Sequence, residues 1–244
     1  VACLVGSEMC IRDRLNEAET KIFELSENRS KIDTLKKIDE YVVQTLDRLD
    51  ELSGQEGDLI GLSSGFKAVD GITQGLQDED LIVVAGRPSM GKTSFAMNIA
   101  ENVAKSEDGC VAVFSLEMSS QSLTARMMAS MAGISQQNVK GANLTDRQWE
   151  KIVKQSAKLK ELDIYIDDTA NISPIEIRAK ARRLAKQYRD KGGLNLVVID
   201  YIQLMQMPGK TENRVNELSD ISRALKGLAK EVKAPVIVLS LIHI

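Results

Sequence analysis

Residues 86–93 read G-x-x-x-x-G-K-T, and the segments on either side give this glycine-rich stretch a specific context. The preceding residues 81–85 form a short apolar run rich in β-branched side chains, which is typical of a buried strand. The following residues 94–100 have helical spacing. Strand, glycine loop and helix in this order are what a phosphate-binding loop requires, and this context disfavours the alternative of a chance glycine turn.

The residue types in this loop suit the binding of a nucleotide together with Mg²⁺. Gly86 and Gly91 let the backbone bend so that its N–H groups point at phosphate oxygens, and the positive end of the following helix adds to that field. Lys92 is expected to reach the β- and γ-phosphates, and the Thr93 hydroxyl is expected to ligate Mg²⁺. The predicted nucleotide-binding residues of the loop are Gly86, Arg87, Pro88, Ser89, Met90, Gly91, Lys92, Thr93 and Ser94.

Charge and composition exclude several classes of protein. The net charge of −3 gives no global signature of nucleic-acid binding, so any such contact must be local or shared between subunits. No apolar run approaches the ~20 residues of a membrane span, and no membrane partner is expected. The three cysteines lack metal-like spacing, which indicates a reducing compartment, and the single histidine, His243, leaves no basis for a zinc site.

The sequence divides into four parts: a tail (1–14), a helical linker region (15–58), a globular domain (59–240) and a second tail (241–244). Both tails resemble translated sequencing-adapter DNA, and we expect them to be non-native. The linker region contains two predicted amphipathic helices, 15–29 and 32–52, followed by a polar, glycine-bearing stretch. Since a lone short helix is marginal in water, the helix over Leu15–Arg29 is expected to pack on something, such as another subunit.

Apolar strands and amphipathic helices alternate within the globular domain. Besides 81–85, the predicted strands are 110–115, 164–166, 196–199 and 235–239, and the predicted helices after the loop helix are 120–132, 145–160, 173–191 and 213–232. Thr145–Gln148 has the pattern of a capping box, and Pro174 suits the first position of a helix. Continuous apolar strands between helices predict an α/β fold with a mostly parallel sheet that helices cover on both faces.

Two carboxylates follow predicted strands and are candidates for the chemistry of the site. Asp200 ends the strand 196–199, on the sheet edge where the phosphate loop also lies, so it is placed to hold Mg²⁺ directly or through water. Glu117 lies just beyond the strand 110–115, where a carboxylate can orient and deprotonate an attacking water as the catalytic base. The alternative role for each carboxylate is that of a turn or capping residue.

Several basic residues have both a ligand-binding and a plain surface interpretation. Arg126, within the helix 120–132, either reaches nucleotide phosphate or is a solvated charge on a helix face. The basic helix 174–191 is either a nucleic-acid face or a solvated face, and the lack of an interleaved aromatic or glycine-rich loop favours the second interpretation. In the loop 205–213 and just after it, Lys210 and Arg214 are candidates for contact with a nucleic-acid phosphate backbone.

Three motifs resemble those of the DnaB family of replicative DNA helicases. They are the phosphate loop Gly86–Thr93, the run Phe114–Met118 and the run Ile199–Met205, and they occur in the order and spacing of the family. Gly61–Phe66 also resembles the segment that opens the ATPase domain of the family. The resemblance covers about residues 15–240.

The resemblance implies a RecA-like P-loop ATPase domain, preceded by a linker helix, Leu15–Arg29, that docks on the neighbouring protomer of a homo-hexameric ring. It implies ATP and Mg²⁺ as cofactors, with ATP-driven 5′→3′ translocation on single-stranded DNA and duplex unwinding at a replication fork. The implied location is the bacterial cytoplasm or nucleoid or, for a phage-encoded protein, the cytoplasm of the host. Primase and a helicase loader are implied as partners of the full-length parent. By the match, Lys92 and Thr93 bind phosphate and Mg²⁺, Glu117 activates water, Asp200 is the strand-end acidic residue and Arg126 is a nucleotide-proximal arginine.

The sequence also departs from the pattern of the family. Leu241 stands where the family has a Gln-bearing strand end, and the segments that supply the primase-binding domain, the arginine finger and the main DNA-binding loop have no counterpart here. A ring ATPase uses a cation from the neighbouring subunit to neutralise transition-state charge, worth roughly 10³-fold or more in rate. We therefore expect this chain to bind nucleotide but to hydrolyse it poorly.

Two other functions stay open at this point. Within the same fold, the chain could be a recombinase or a clock-type ATPase, although the residues around Glu117 and Asp200 argue against this. From another class, it could be a non-catalytic nucleotide-binding assembly module, in which nucleotide cements a protomer interface and Leu15–Arg29 is the partner element. Loss of assembly on deletion of that helix would support the module.

Overall fold

The computed structural model describes residues 37–53, 59–206 and 214–241. The chain divides into two compact units, Val1–Glu56 and Gly57–Ile244. The predicted helix Leu15–Arg29, the tail residues 1–14 and 242–244, the linker residues 54–58 and Lys210 lie outside the described residues.

The first unit contains one described helix, α1, which spans Ile38–Ser53 and falls within the predicted helix 32–52 apart from its last residue. Its exposed large apolar side chains are Ile38, Tyr41, Val42, Val43 and Leu46. Ile38, Val42 and Leu46 recur at four-residue intervals, so they share one face of the helix. This apolar stripe of α1 is solvent-exposed in the described part of the chain.

A sheet of five parallel strands forms the centre of the described second unit, in the order β1-β5-β4-β2-β3. The strands are β1 (Leu81–Gly86), β2 (Cys110–Ser115), β3 (Ile164–Asp167), β4 (Leu194–Asp200) and β5 (Val236–Leu241). The three inner strands are almost entirely buried, because helices cover both faces, and this explains their continuous apolar sequences. The predicted parallel α/β fold is confirmed.

Helices connect the strands and cover the sheet. They are α2 (Lys67–Thr73), α3 (Lys92–Ser106), α4 (Ser120–Ala132), α5 (Gln136–Lys140), α6 (Asp146–Lys160), α7 (Pro174–Gln187) and α8 (Arg214–Val232), with a 3₁₀ turn at Ile202–Leu204. The sequence did not predict α2, α5 or the 3₁₀ turn, because segments this short carry too little periodicity to be distinguished from loops.

Successive residues of each inner strand point to opposite faces and build two separate cores. On one face, Val197 and Ile199 of β4 pack in a cluster with Ile177 of α7 and Leu225 of α8. On the other face, Val198 packs in a cluster with side chains of α3 and α4, among them Ile99 and Leu123. The two-layer covering fixes the register of each strand, since a shift by one residue would exchange its two faces.

Most helix ends agree with the local sequence signals, and one does not. Thr145 and Gln148 form a capping box at the start of α6, and Pro174 occupies the first turn of α7. The predicted extension of α7 to residue 191 is wrong, because the helix ends at Gln187. The carbonyl of Tyr188 accepts bonds from the N–H groups of Lys191 (2.8 Å) and Gly193 (2.9 Å), so the turn begins at Tyr188 and includes the predicted glycines.

A buried carboxylate fixes the segment that leads into the domain. Asp70 is 5% exposed and accepts hydrogen bonds from the Ser63 hydroxyl (2.8 Å), the Ser64 backbone N–H (2.9 Å) and the Ser64 hydroxyl (2.6 Å). Burial alone would raise the pKa of Asp70, but these hydrogen bonds outweigh it and lower the pKa below its usual value. This anchor was not predicted from the sequence.

Candidate nucleotide-binding site

The phosphate loop lies between the end of β1 and the start of α3, at the carboxyl edge of the sheet. Gly91, immediately before the helix, has a φ of 84°, and Ser89 also lies in the left-handed region with a φ of 64°. A β-carbon on Gly91 would meet nothing within 4 Å, so there is room for a side chain. Glycine is favoured there because of its left-handed backbone conformation. The loop side chains from Arg87 to Met90 are exposed, which leaves the loop open to an incoming phosphate.

Lys92 folds back over its own loop. Its Nζ donates to the backbone carbonyl of Gly86 at 2.7 Å and to that of Arg87 at 2.9 Å. The ammonium group therefore lies in the concave side of the loop, at the positive end of α3. Positive charge and backbone N–H groups in one place are the elements of an anion site.

Asp200, the last residue of β4, provides a buried negative charge at the same edge. It is 4% exposed, the Thr93 side chain interacts with its carboxyl group, and its Oδ2 is buried without a hydrogen-bond partner among the described residues. Burial raises the pKa of Asp200, and this effect outweighs the interaction with Thr93, which lowers it. The carboxylate thus has unused coordinating capacity next to a hydroxyl group.

Three more charged side chains act on Asp200, which shows that the fold brings the predicted site residues into one electrostatic neighbourhood. The Glu117 carboxylate adds to the rise in the pKa of Asp200. Arg126 and Lys92 oppose it with their positive charges. Residues that are distant in sequence therefore converge on one edge of the sheet.

This donor set fits Mg²⁺. The ion prefers oxygen ligands and is usually held by one or two protein oxygens together with water and substrate phosphates. Asp200 Oδ2 lacks a partner among the described residues, and the Thr93 hydroxyl lies beside the same carboxylate. No cluster of three or more metal-ligating His, Cys, Asp or Glu residues occurs in the described ranges. The roles of Thr93 and Asp200 in metal binding stay predictions.

The turn that carries Glu117 is fixed by a hydroxyl group whose role was not predicted from the sequence. The buried Ser115 Oγ donates to the Met118 carbonyl at 2.7 Å and accepts from the Met118 N–H at 3.2 Å. The N–H of Leu116 donates to the Asp200 carbonyl at 2.7 Å, and Ser115 pairs with Asp200 in the β2–β4 register. These bonds fix the turn that carries Glu117 directly beside β4. The available signal was a hydroxyl residue at a strand end, two positions before an acidic one.

Arg126 is not a simple surface charge. It lies in α4, and its Nε is buried without a hydrogen-bond partner among the described residues. Its positive charge lowers the pKa of Asp200, so the guanidinium group lies within electrostatic reach of that carboxylate. This burial argues against the solvated interpretation, and contact with nucleotide phosphate stays a prediction.

The basic residues of α7 are largely engaged in ion pairs. Arg178 and Arg182 both bind Glu231 of α8, at 2.5 Å and 2.8 Å, and Lys180 pairs with Asp167. These pairs bind α7 to its neighbours and reduce the positive charge available to a nucleic acid. The structure therefore favours the solvated-face interpretation of this helix.

Arg214 has intramolecular partners at the start of α8. One terminal nitrogen donates to the carbonyls of Gln203 (2.5 Å) and Met205 (3.3 Å), and the other pairs with Glu217. Its predicted contact with nucleic acid, like that of Lys210, stays untested. The structural role that these bonds give Arg214 was not predicted.

A family model described as the DnaB-like helicase C-terminal domain matches residues 61–243. The chain belongs to this family. This membership confirms the resemblance and favours the helicase interpretation over a recombinase or clock-type ATPase. The phosphate loop, Glu117 and Asp200 all lie within the matched range.

Curated relatives include replicative DNA helicases of several bacteria. The chain is 46% identical to the replicative DNA helicase DnaB of Geobacillus stearothermophilus, across 93% of this chain and 49% of the relative. It is 44% identical to the replicative DNA helicase DnaC of Bacillus subtilis, across 94% of this chain and 50% of the relative. The chain thus spans about half the length of these relatives.

Solved structures agree with the family. A solved protein described as an ATPase domain superposes with a TM-score of 0.77 at 31% identity, across 86% of this chain and 72% of the other. A DnaB-like replicative helicase, described with its interactions with primase, gives a TM-score of 0.74 at 29% identity, across 95% and 57% of the two chains. The fold is the RecA-like ATPase fold, a nucleotide-using domain, as predicted. Within the described ranges, the helices are too short or too polar to cross a bilayer.

Proposed function

We propose that this chain is the ATP-hydrolysing part of a replicative DNA helicase that translocates 5′→3′ on single-stranded DNA and unwinds the duplex at a replication fork. The observation that carries this proposal is the convergence of the phosphate loop, Asp200 and Glu117 at one sheet edge, in a chain of the DnaB-like family. ATP and Mg²⁺ are the proposed cofactors, and the Asp200 oxygen without a partner among the described residues supports the metal.

Each side chain has a defined task in the proposed hydrolysis. Lys92 binds β- and γ-phosphate oxygens, and Thr93 with Asp200 holds Mg²⁺, which neutralises phosphate charge when bound. The Glu117 carboxylate accepts a proton from water as the water oxygen bonds to the γ-phosphorus. The bond from that phosphorus to the β–γ bridging oxygen breaks, which leaves ADP and inorganic phosphate. Arg126 offsets negative charge on the phosphates.

The proposed assembly is a homo-hexameric ring that encloses single-stranded DNA. The apolar stripe of α1 supports an interface with a second copy, because exposed aligned apolar side chains are stabilised when another surface covers them. The predicted element Leu15–Arg29 directly precedes this part of the chain. Primase and a helicase loader are proposed partners of the full-length parent, and the cytoplasm of a bacterium is the proposed location.

Sedimentation tests the assembly. The double variant Val42→Asp with Leu46→Asp should convert assembled chains to monomers, because it places two charges on the apolar stripe. Asp47→Lys is the matched control, since it changes the charge of an exposed residue on a different face of α1. Unchanged assembly of the double variant would remove α1 from the interface.

Hydrolysis rates with and without single-stranded DNA test the enzyme. We expect slow turnover by this chain and DNA-stimulated turnover by the full-length parent. In the parent, Lys92→Ala should abolish nucleotide binding, whereas Lys105→Ala, on the same helix, should not. Glu117→Gln should bind nucleotide but lose turnover, and the exposed Glu150→Gln is its control.

Three outcomes separate the alternatives. DNA-stimulated turnover by the parent alone supports the helicase and the need for a cation from a neighbouring subunit. Robust DNA-stimulated turnover by the isolated chain would contradict that need. Binding and assembly without turnover in either protein would indicate a non-catalytic module and would remove the catalytic role of Glu117.

A further inference from the structure

The side-chain amide of Gln203 binds the end of a neighbouring strand. Gln203 lies in the 3₁₀ turn that follows β4, three residues after Asp200. Its Nε2 donates to the Ser240 hydroxyl at 2.8 Å and to the Leu241 carbonyl at 3.1 Å, and its Oε1 accepts from the Leu241 N–H at 3.3 Å. One carboxamide therefore binds both backbone groups of the last residue of β5.

The Gln203 amide takes the place of β4, whose pairing with β5 ends before β5 does. The β4–β5 ladder pairs Val197–Ile199 with Val236–Val238 and stops there, whereas the β1–β5 ladder continues to the pair Gly86–Leu241. The backbone N–H and C=O of Leu241 would otherwise lack a partner on the β4 side, and the Gln203 amide supplies one with the chemistry of a peptide group. The contacts to Leu241 involve its backbone alone, so they do not depend on which side chain stands at that position.

The turn that carries Gln203 is itself well anchored. Ile202 and Met205, on either side, are 7% and 0% exposed. Arg214 donates to the carbonyls of both Gln203 and Met205. The amide therefore holds the end of β5 at a defined distance from β4 and from Asp200.

The position of β5 matters because this strand lies between the two halves of the site. In the sheet order, β5 separates β1, which leads into the phosphate loop, from β4, which ends in Asp200. Gly86, the partner of Leu241, also accepts the hydrogen bond from Lys92. A nucleoside triphosphate with Mg²⁺ needs the Lys92 side and the Asp200 side at once, whereas a diphosphate needs mainly the loop.

We propose that Gln203 is a positioning residue that sets the spacing between the phosphate loop and Asp200 and so favours nucleoside triphosphate over diphosphate. This inference rests on the proposed function of the site. Gln203 acts through Ser240 and the Leu241 backbone and does not itself contact nucleotide. Small displacements of groups that bind a reacting phosphate carry large costs in affinity and rate, which is why a distant amide can matter.

The test measures affinities of a non-hydrolysable ATP analogue and of ADP, both with Mg²⁺, for the full 244-residue chain. Gln203→Met, of similar shape but without hydrogen-bonding groups, should weaken the analogue about tenfold while ADP stays within about twofold. Ser240→Ala removes one partner of the amide and should have a smaller effect in the same direction. The double variant should be no weaker than Gln203→Met, since the two residues act through one contact. Gln187→Met, an exposed position on α7, is the control.

A purely structural role would give a different result. If Gln203→Met lowers the affinities for the ATP analogue and for ADP equally, or lowers neither, the inference is overturned. If the methionine variant does not fold, the same comparison of the two affinities is made with Ser240→Ala. If the unmodified chain binds nucleotide and Lys92→Ala does not weaken that binding, the proposed site itself is overturned. Selective loss of the triphosphate analogue supports the inference, because loss of folding alone does not change the preference between two nucleotides.

Discussion

Replacing Asp200 by Asn is expected to stabilise the nucleotide-free chain while removing its response to Mg²⁺. Asp200 is 4% exposed, one of its oxygens has no partner among the described residues, and burial raises the pKa of its carboxyl group. Because the pKa of Asp200 is higher in the folded state than in the unfolded state, its contribution to stability is fully present below the unfolded pKa. This contribution is lost as pH rises through the folded pKa. At neutral pH the ionised side chain therefore costs stability, as metal-binding carboxylates often do before the metal arrives.

The magnitude follows from the buried charge. A buried polar group without a hydrogen bond costs about 1–3 kcal/mol and a charged one costs more, so the neutral Asn amide, although its NH2 group also lacks a partner, costs less than the carboxylate and removes the repulsion from Glu117. The Asn variant should thus gain about 1–3 kcal/mol in the free energy of unfolding. For a domain of this size, 1 kcal/mol corresponds to about 2–4 °C in the melting temperature, so the expected rise is about 2–12 °C.

Thermal unfolding of the full chain, with and without Mg²⁺ and a non-hydrolysable ATP analogue, provides the assay. The analogue at about 100 times its Kd should stabilise the original chain by roughly 2.7 kcal/mol, and Mg²⁺ should account for part of this. In the Asn variant the Mg²⁺-dependent part should disappear. The stability difference between the two proteins should also shrink at low pH, because a protonated Asp200 resembles Asn. Asp190→Asn, in an exposed turn, is the control.

Two results would refute this reasoning. Destabilisation of the nucleotide-free chain by Asn would show that the ionised Asp200 is already well compensated in the fold. An unchanged response to Mg²⁺ would show that Asp200 does not hold the metal. Asp190→Asn should change neither quantity, so a similar effect there would point to net charge alone.

Three further predictions concern residues around the site. The pKa of Asp70 is lowered, so its contribution to stability is present above the unfolded pKa of 3.8 and is lost as pH falls through the folded pKa. Asp70→Asn should therefore make stability depend less on pH in acid unfolding followed by circular dichroism. An unchanged acid profile would contradict this. Ser115→Ala in the full-length parent should lower the hydrolysis rate about tenfold, because it loosens the turn that carries Glu117, while nucleotide affinity stays within about twofold. A normal rate in Ser115→Thr, which keeps the hydroxyl group, would support this role. Leu225→Ala should lower the unfolding free energy in urea by about 2–5 kcal/mol through a core cavity, and a cost below about 1 kcal/mol would mean that the core refills the space.

Membership of the family and most elements of the fold could be predicted from short stretches of sequence. The phosphate loop, the capping box at Thr145 and the apolar strands are local signals, since each depends on residues within one turn or one strand. Such interactions form in the same way wherever the segment lies in the chain. This is why strand positions were predicted well, whereas the end of α7 at Gln187 depended on turn hydrogen bonds at Tyr188 that have no strong sequence signature.

The candidate site shows where local signals end. The residue types at Lys92, Glu117 and Asp200 marked them as chemically suitable, but each also had a plain interpretation as a helix, turn or capping residue. The choice between these interpretations depends on distance, and distance across the sheet depends on strand order. The burial of the Arg126 Nε and the missing partner of Asp200 Oδ2 among the described residues are likewise properties of the packed structure.

The sequence by itself determined a phosphate loop between a strand and a helix, a parallel α/β domain and the carboxylates available to it, because these follow from local geometry and from the period of apolar residues. Only the tertiary structure decided that β5 lies between β1 and β4, that the Leu116 N–H binds the Asp200 carbonyl and that Gln203 replaces a strand beside Leu241. These contacts join segments far apart in the chain, and their energies depend on how complete strands and helices pack. No short stretch of sequence contains that information.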